Sequence, residues 1–316
     1  MLRVRVITPP ELTDEVVELA DQSIAALNVV VHPRAARAPL GDLVEFELVR
    51  EAADSMLSEL RAMGVAEHGS ITIEQIDLSI SRSAEAAEAA VPGYGEDAVV
   101  WDELSAKTAA DARLSWSFLA FLALATQLAA IGALLDQPIL IVGAMVLGPE
   151  FGAVASICFG LVRRERGRIA QAATTLSVGF AAAIAVTTLC ALVSRALGWI
   201  TPEMLDDRPH TQFIVQPDRW SFIVALLAGV AGILSITAGK SSALVGVFIS
   251  VTTVPAAGNI AVAIALSHRS EVSASAVQLG LNMAGMIIAG VATLAVQHVL
   301  WRRYGMRISR PGVRHT

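Results

Sequence analysis

Six stretches of the chain, at 114–135, 138–162, 169–194, 220–238, 243–266 and 274–300, run almost without charge for about the length of a membrane span. A helix rises about 1.5 Å per residue, so about 20 apolar residues cross the hydrocarbon of a bilayer. Core helices of water-soluble domains do not reach such lengths six times in succession. The expected fold is therefore a polytopic α-helical membrane protein, with the lipid bilayer as its first partner. The rest of the chain differs in kind. Residues 1–97 hold about 18 of the 29 acidic residues and about 7 of the 23 basic ones. That split argues for two physically different parts. The net charge of −6 and the lack of a basic-aromatic patch exclude a nucleic-acid surface.

Within 1–80 the periodicity switches between strand and helix. Strands are expected at 2–7, 28–32, 43–49 and 69–76, helices from Glu11 to Leu27 and over 51–63, and a loop over 33–41. The order βαββαβ is the ferredoxin-like α+β arrangement, here a soluble domain. It has no paired-Cys loop for metal delivery, and Phe46 is the only aromatic that could stack on RNA. A ligand-sensing or oligomerising module remains, or a packing domain with no ligand. Residues 81–112 read as a linker around Pro92, Gly93, Tyr94 and Gly95, followed by an amphipathic juxtamembrane helix. Val100, Trp101 and Leu104 would place that helix at the bilayer interface. The N-terminus lacks the apolar core of a signal peptide, so the first domain is expected to stay where it is made. Cys158 and Cys190 lie in apolar stretches and read as small buried residues, with no metal site or disulfide.

Basic residues orient the spans. Arg163, Arg164, Arg166 and Arg168 follow the second span, Lys240 follows the fourth, and Arg302, Arg303, Arg307, Arg310 and Arg314 form a basic tail over 302–316. Six spans put all of these on the side of the N-terminal domain. Both termini are then cytoplasmic and the membrane is the inner one. The 113–301 region also repeats itself. Trp116-Ser117-Phe118 matches Trp220-Ser221-Phe222. Pro149, Gly152, Val154 and Ala155 match Pro255, Gly258, Ile260 and Ala261. Thr188-Leu189 matches Thr293-Leu294. The offsets lie near 105 residues. Repeats at 113–198 and 217–301, each with an odd number of spans, would have inverted topology.

The proline motifs are the candidate site. Proline removes a backbone donor and blocks the bond to the preceding turn, so Gly148-Pro149 and Pro255 should break their helices near the midplane. The exposed half-helix N-termini carry partial positive charge suited to an anion or carboxylate. Glu150 is the one carboxylate deep inside a span, and intramembrane charges usually face a cavity or a partner. It reads as an ion- or proton-coupling group or as a carboxylate capping the broken backbone. Gly152, Gly258, Thr252, Thr253, Asn259, Asn282 and Gln127 complete the expected set, although any one of the polar residues alone is more often interhelical glue. The Ala238-Gly239-Lys240-Ser241-Ser242 turn is not a phosphate loop, because Leu234 stands where the first glycine is required. No Ser-His-Asp set, zincin motif or two-His cluster lies in the apolar half, and no cofactor is expected.

The segments Val142-Gly-Ala-Met-Val-Leu-Gly-Pro-Glu-Phe-Gly152 and Ser241-Ser-Ala-Leu-Val-Gly-Val-Phe-Ile-Ser-Val-Thr-Thr-Val-Pro-Ala-Ala-Gly-Asn259 resemble the DUF389 family of bacterial and archaeal hydrophobic proteins. The resemblance implies an integral membrane protein and supplies no catalytic residues. The function expected first is a transporter or channel-like protein for an unknown small solute or ion, regulated by its N-terminal domain. A membrane-anchored ligand sensor is the alternative, and a lipid-modifying membrane enzyme a weaker one. Small-residue faces such as Gly285 with Gly290, and the sheet edges, suit a homo-oligomer.

Overall fold

The computed structural model describes residues 1–76, 78–91, 99–206, 208–214, 219–239 and 251–304. The chain divides into two compact units, Met1–Asp102 together with the residues from Leu300 onward, and Glu103–Val299.

The first unit contains β1 (Leu2–Thr8), α1 (Pro10–Gln22), β2 (Ala26–Arg37), β3 (Leu40–Leu48), α2 (Ala53–Ala62), α3 (Val65–His68), β4 (Ser70–Gln75) and α4 (Arg82–Ala90). The sheet order is β2-β3-β1-β4, and every neighbouring pair is antiparallel. Strict alternation makes β1 two-faced: Leu2, Val4 and Val6 are buried while Arg3 and Arg5 are exposed. Phe46 lies in the core and offers no surface to a base.

Two expectations for this region change. The loop expected over 33–41 is instead the far end of the β2–β3 hairpin. Register shifts after Leu27 and after His32 absorb Pro33 and the left-handed Arg34. Asp42 pins that irregularity, accepting the Arg34 N–H at 2.8 Å and the Thr13 hydroxyl at 2.8 Å. The Arg34 N–H first, and the Thr13 hydroxyl second, hold its carboxyl below the ordinary carboxylate range. The segment expected as a linker also contributes core. Ala84, Ala87, Val91 and Val100 pack with the sheet residues, and the Ser81 hydroxyl caps α4. Val100, Trp101 and Leu104 are all buried, so they do not form the interfacial face expected of them.

The remaining helices are α5 (Trp101–Asp111), α6 (Trp116–Leu134), α7 (Pro138–Leu147), α8 (Glu150–Arg163), α9 (Arg166–Ala196), α10 (Arg219–Thr237), α11 (Thr253–Leu266) and α12 (Arg269–Tyr304). Four of them, α6, α9, α10 and α12, are long and apolar enough to cross a membrane. The pair α7 and α8, bent by 51°, makes a fifth crossing if counted as one span. Six full spans are not found among the described residues. The fifth expected span is represented by α11, which is only 14 residues long. Residues 240–250, with the expected Lys240 turn and the first part of that span, lie outside the described residues, as do Pro92–Gly95 and the tail from residue 305.

The long helices bury a third to under half of their most apolar windows. Their outward faces carry Leu124, Leu189, Leu227 and Ile288, each more than half exposed. A helix that is apolar all round needs either a deep core or lipid. Few of these side chains reach a core, so the second unit reads as a membrane protein. Cys158 is buried as expected, but Cys190 lies on the exposed face of α9.

One helix is different. Of the 14 residues of α11, 13 are buried. It packs against α6 and α9, and the approach to α6 is close enough that a Cβ on Gly258 would sit 2.8 Å from the Thr126 oxygen and the Ala130 nitrogen. The Thr188 hydroxyl and the Arg195 guanidinium donate to the Ala261 and Ala265 carbonyls. A 14-residue helix enclosed on nearly every side is a central element rather than a lipid-facing one.

Candidate functional site

The centre of the second unit is the meeting of two short helices at their N-termini. α7 stops at Leu147 because Pro149 has no N–H to give and Gly148 turns extended. Pro149 takes the N-cap position, and α8 restarts at Glu150. α11 begins at Thr253. The Thr253 hydroxyl donates to Glu150 Oε1 at 2.5 Å, so the first residues of the two helices touch across 103 positions of sequence. The segment in which Pro255 is expected to break a helix lies largely outside the described residues, and α11 itself starts just before the proline. Pro255 is the third residue of α11, where its missing N–H costs nothing because a first-turn amide has no partner in the helix.

Glu150 is 6% exposed. Its second oxygen, Oε2, has no hydrogen-bond partner among the described residues. That oxygen folds back over Gly148, where a side chain at 148 would collide with the carboxylate and with Val254. Glycine at 148 is what allows the fold-back. Beside Thr253, the Thr252 hydroxyl accepts from Gln278 Nε2 at 3.0 Å and from Asn282 Nδ2 at 2.9 Å, both on α12. Gln278 is fully buried, and its Oε1 also has no partner among the described residues.

Glu150, Thr252, Thr253 and Asn282 therefore converge, with Gly148 and Pro149 beneath them. Four expected members lie elsewhere. Gly152 packs against α5, where a Cβ would sit 2.5 Å from Asp111 Cβ. Gly258 serves the contact between α11 and α6. Gln127 is half-buried on α6 and, among the described residues, joins no hydrogen bond of the cluster. Asn259 belongs to a second buried network, accepting from Arg208 Nη1 at 2.7 Å and donating to Ser275 Oγ and Glu271 Oε2. Arg208 Nη2 lies 2.8 Å from both Glu271 oxygens, and its Nε donates to the Leu205 carbonyl. The described residues of the 201–214 connection are thus held in place. Arg208 is 6% exposed, and Leu205, Thr211 and Ile214 are buried. Asp136 holds the same connection through the His210 and Thr211 N–H groups, the Thr211 hydroxyl and His210 Nδ1. Burial raises the Asp136 pKa, but the hydrogen bonds from His210 and Thr211 outweigh it and leave the carboxyl below its ordinary value.

Sequence reasoning missed Gln278 and Arg208. An amide at the start of an apolar stretch and an arginine in an acidic connection have no distinguishing local pattern. Their importance comes from residues 26 and 51 positions away.

Comparison with known proteins places the site within a recognised region. Residues 145–288 match the family described as Domain of unknown function (DUF389). The chain is 29% identical over 144 residues to the "Uncharacterized protein MJ0678" of Methanocaldococcus jannaschii, a match covering 46% of this chain and 42% of that protein. No solved structure matches. The matched region runs from the end of α7 to the middle of α12 and contains Glu150, Thr252, Thr253, Gln278 and Asn282. The glycine-proline motif and the Ser241–Asn259 segment, which carry the resemblance, lie within the residues that match DUF389, 145–288.

Proposed function

We propose that this chain is an integral membrane transporter or channel-like protein for a small ion or solute, regulated by its N-terminal unit, with the junction of α8 and α11 as its binding site. The observation that carries the reading is Glu150: a carboxylate almost fully buried at the meeting of two helix N-termini, with one oxygen bound to Thr253 and the other without a partner among the described residues. Ionisable groups in that setting are costly and are retained where they bind or relay charge. Broken helices converging between packed spans are a common way to build such a site.

A duplicated, inverted architecture fits the same facts. α6 and α10 have 19 residues each, and α8 and α11 have 14 each. Within each pair the starting positions are 103 residues apart. Both short helices end on a left-handed residue, Arg164 or Ser267, and the next N–H reaches back five residues to a carbonyl. We take the membrane to be the inner one with both termini cytoplasmic, on the strength of the arginine-rich turn after α8. A homo-oligomer accords with the exposed apolar faces.

The test is flux. Purified protein in proteoliposomes should dissipate an imposed ion gradient, read with a potential-sensitive or pH-sensitive dye, and Glu150→Gln should abolish that flux. Equal flux from the variant would remove Glu150 from the mechanism. The sensor alternative is supported by the separate core of the first unit. A small molecule that raises the melting temperature of the full chain while no solute crosses would favour it.

A further inference from the structure

We propose that the oxygen cluster at the N-terminus of α11 binds one desolvated monovalent metal cation of the Na⁺ class, coordinated by Glu150 Oε2 and Gln278 Oε1 with the threonine hydroxyls beside them. The proposal names the ligand class of the site above and rests on that transport reading for its biological use.

Buried polar atoms are almost always paired. Here two acceptor oxygens on different helices, both buried, have no donor among the described residues. They are joined through consecutive residues: Glu150 to Thr253, and Thr252 to Gln278. The Thr252 oxygen already receives two N–H groups, from Gln278 and Asn282. With its Nε2 so engaged, the Gln278 amide turns its oxygen away from Thr252. Both orphans are lone pairs and need the same thing, an electron-poor ligand. An anion has nothing to bind at these oxygens.

Charge and space narrow the choice. Glu150 contributes a single negative charge, and the described residues hold no group of three or more His, Cys, Asp or Glu able to hold a metal. Divalent sites of Ca²⁺ type normally gather several carboxylates, whereas one carboxylate with amide and hydroxyl oxygens balances one positive charge. The carboxylate lies against Gly148, and Val254 Cγ2 would be 2.8 Å from a Cβ there. Gly148 and Val254 thus crowd the carboxylate, which disfavours an organic cation. Imidazole and thiolate are both absent from the cluster, which disfavours softer metals.

The experiment is thermal unfolding of the full chain in detergent, with choline chloride replaced by NaCl, KCl or LiCl at constant ionic strength. Saturating Na⁺ should raise the melting temperature of the unmodified protein by about 3 °C or more over choline. Glu150→Gln and Gln278→Leu should each lose the shift, and Thr253→Ser should keep it. If Glu150→Gln fails to fold, Gln278→Leu carries the test. The proposal is overturned if no metal cation exceeds choline or if the shift survives in Gln278→Leu. It is also overturned if the protein responds only to protons in Na⁺-free buffer, since the occupant is then a proton. Parallel flux measurements separate the two claims. A Na⁺ shift without flux sinks transport and keeps the site. Flux that needs Glu150 without any Na⁺ shift sinks the site and keeps transport.

Discussion

The hairpins α8–α9 and α11–α12 share a backbone pattern and are fastened by different chemistry. Each starts with a 14-residue helix, turns on a left-handed residue and enters a long apolar helix. In each, the third residue of the long helix reaches back to a residue 63 positions away in sequence. In the first hairpin that residue is Arg168, which binds the Ser105 carbonyl and hydroxyl, reaches the Thr108 hydroxyl and stacks on Phe159. In the second it is Glu271, which binds Arg208. Across those 63 positions one joins a cation to neutral oxygens and the other joins two charges, while Arg168 also pairs with Glu165 three residues before it. The helix N-termini differ in the same way. Glu150 opens α8 with a charge, and Thr253 opens α11 with a hydroxyl. Backbone geometry can be repeated while side-chain chemistry diverges, because the fold requires only that the polar groups be satisfied.

The largest expected difference between the hairpins is at the fastenings. Arg208 is far less exposed than the half-open Glu165–Arg168 pair. Arg208→Ala removes the cation from Glu271 and the donor to Asn259 Oδ1 and should cost about 3–5 kcal/mol, as for a broken buried ion pair. Arg168→Ala gives up part-buried hydrogen bonds and a pair with the more exposed Glu165 and should cost about 1–2 kcal/mol. Unfolding in detergent would measure both, and equal losses would break the comparison.

The next effect concerns the junction. Thr253→Ala leaves both Glu150 oxygens without donors and should destabilise by about 1–3 kcal/mol, while Thr253→Ser should cost less than about 1 kcal/mol. A serine variant as damaged as the alanine one would show that the methyl group, not the hydroxyl, matters there.

Glycine substitutions sharpen the contrast further. At Gly258 a new Cβ meets backbone on α6, which cannot yield, so Gly258→Ala should cost about 1–3 kcal/mol. At Gly148 it meets chiefly the free end of the Glu150 side chain, which can swing away. Gly148→Ala should therefore lose less stability than Gly258→Ala and more Glu150-dependent flux, a reversal that melting and flux assays would show together.

The smallest effect is a pH dependence. The Asp136 pKa is depressed in the folded chain. Its clasp on His210 and Thr211 thus contributes stability above the ordinary value of 3.8 and loses it as pH falls through the lower folded value. The protection factors of the His210 and Thr211 amides, relative to intrinsic exchange at each pH, should fall in that acid range and not above it. Asp136→Asn should lessen the dependence.

Much of this was legible in the sequence. Charge-free length gave apolar spanning helices, and strict alternation gave β1. Proline chemistry gave the end of α7 at Gly148-Pro149. Each of these depends on neighbours within a few residues, and there composition and spacing are sufficient. Glu150 also stood out alone, because a carboxylate in an apolar stretch is costly wherever it points.

What only the tertiary structure decided is pairing. Thr253 rather than Asn259 meets Glu150, Asn259 joins Arg208 and Glu271, and Gln278 enters the cluster unannounced. Trp101 and Leu104, amphipathic by pattern, turned out to be buried, because a pattern fixes which face is apolar but not what covers it. A side chain's local cost is written in its own segment. The partner that offsets that cost is selected by how distant helices pack, and no local pattern carries that choice.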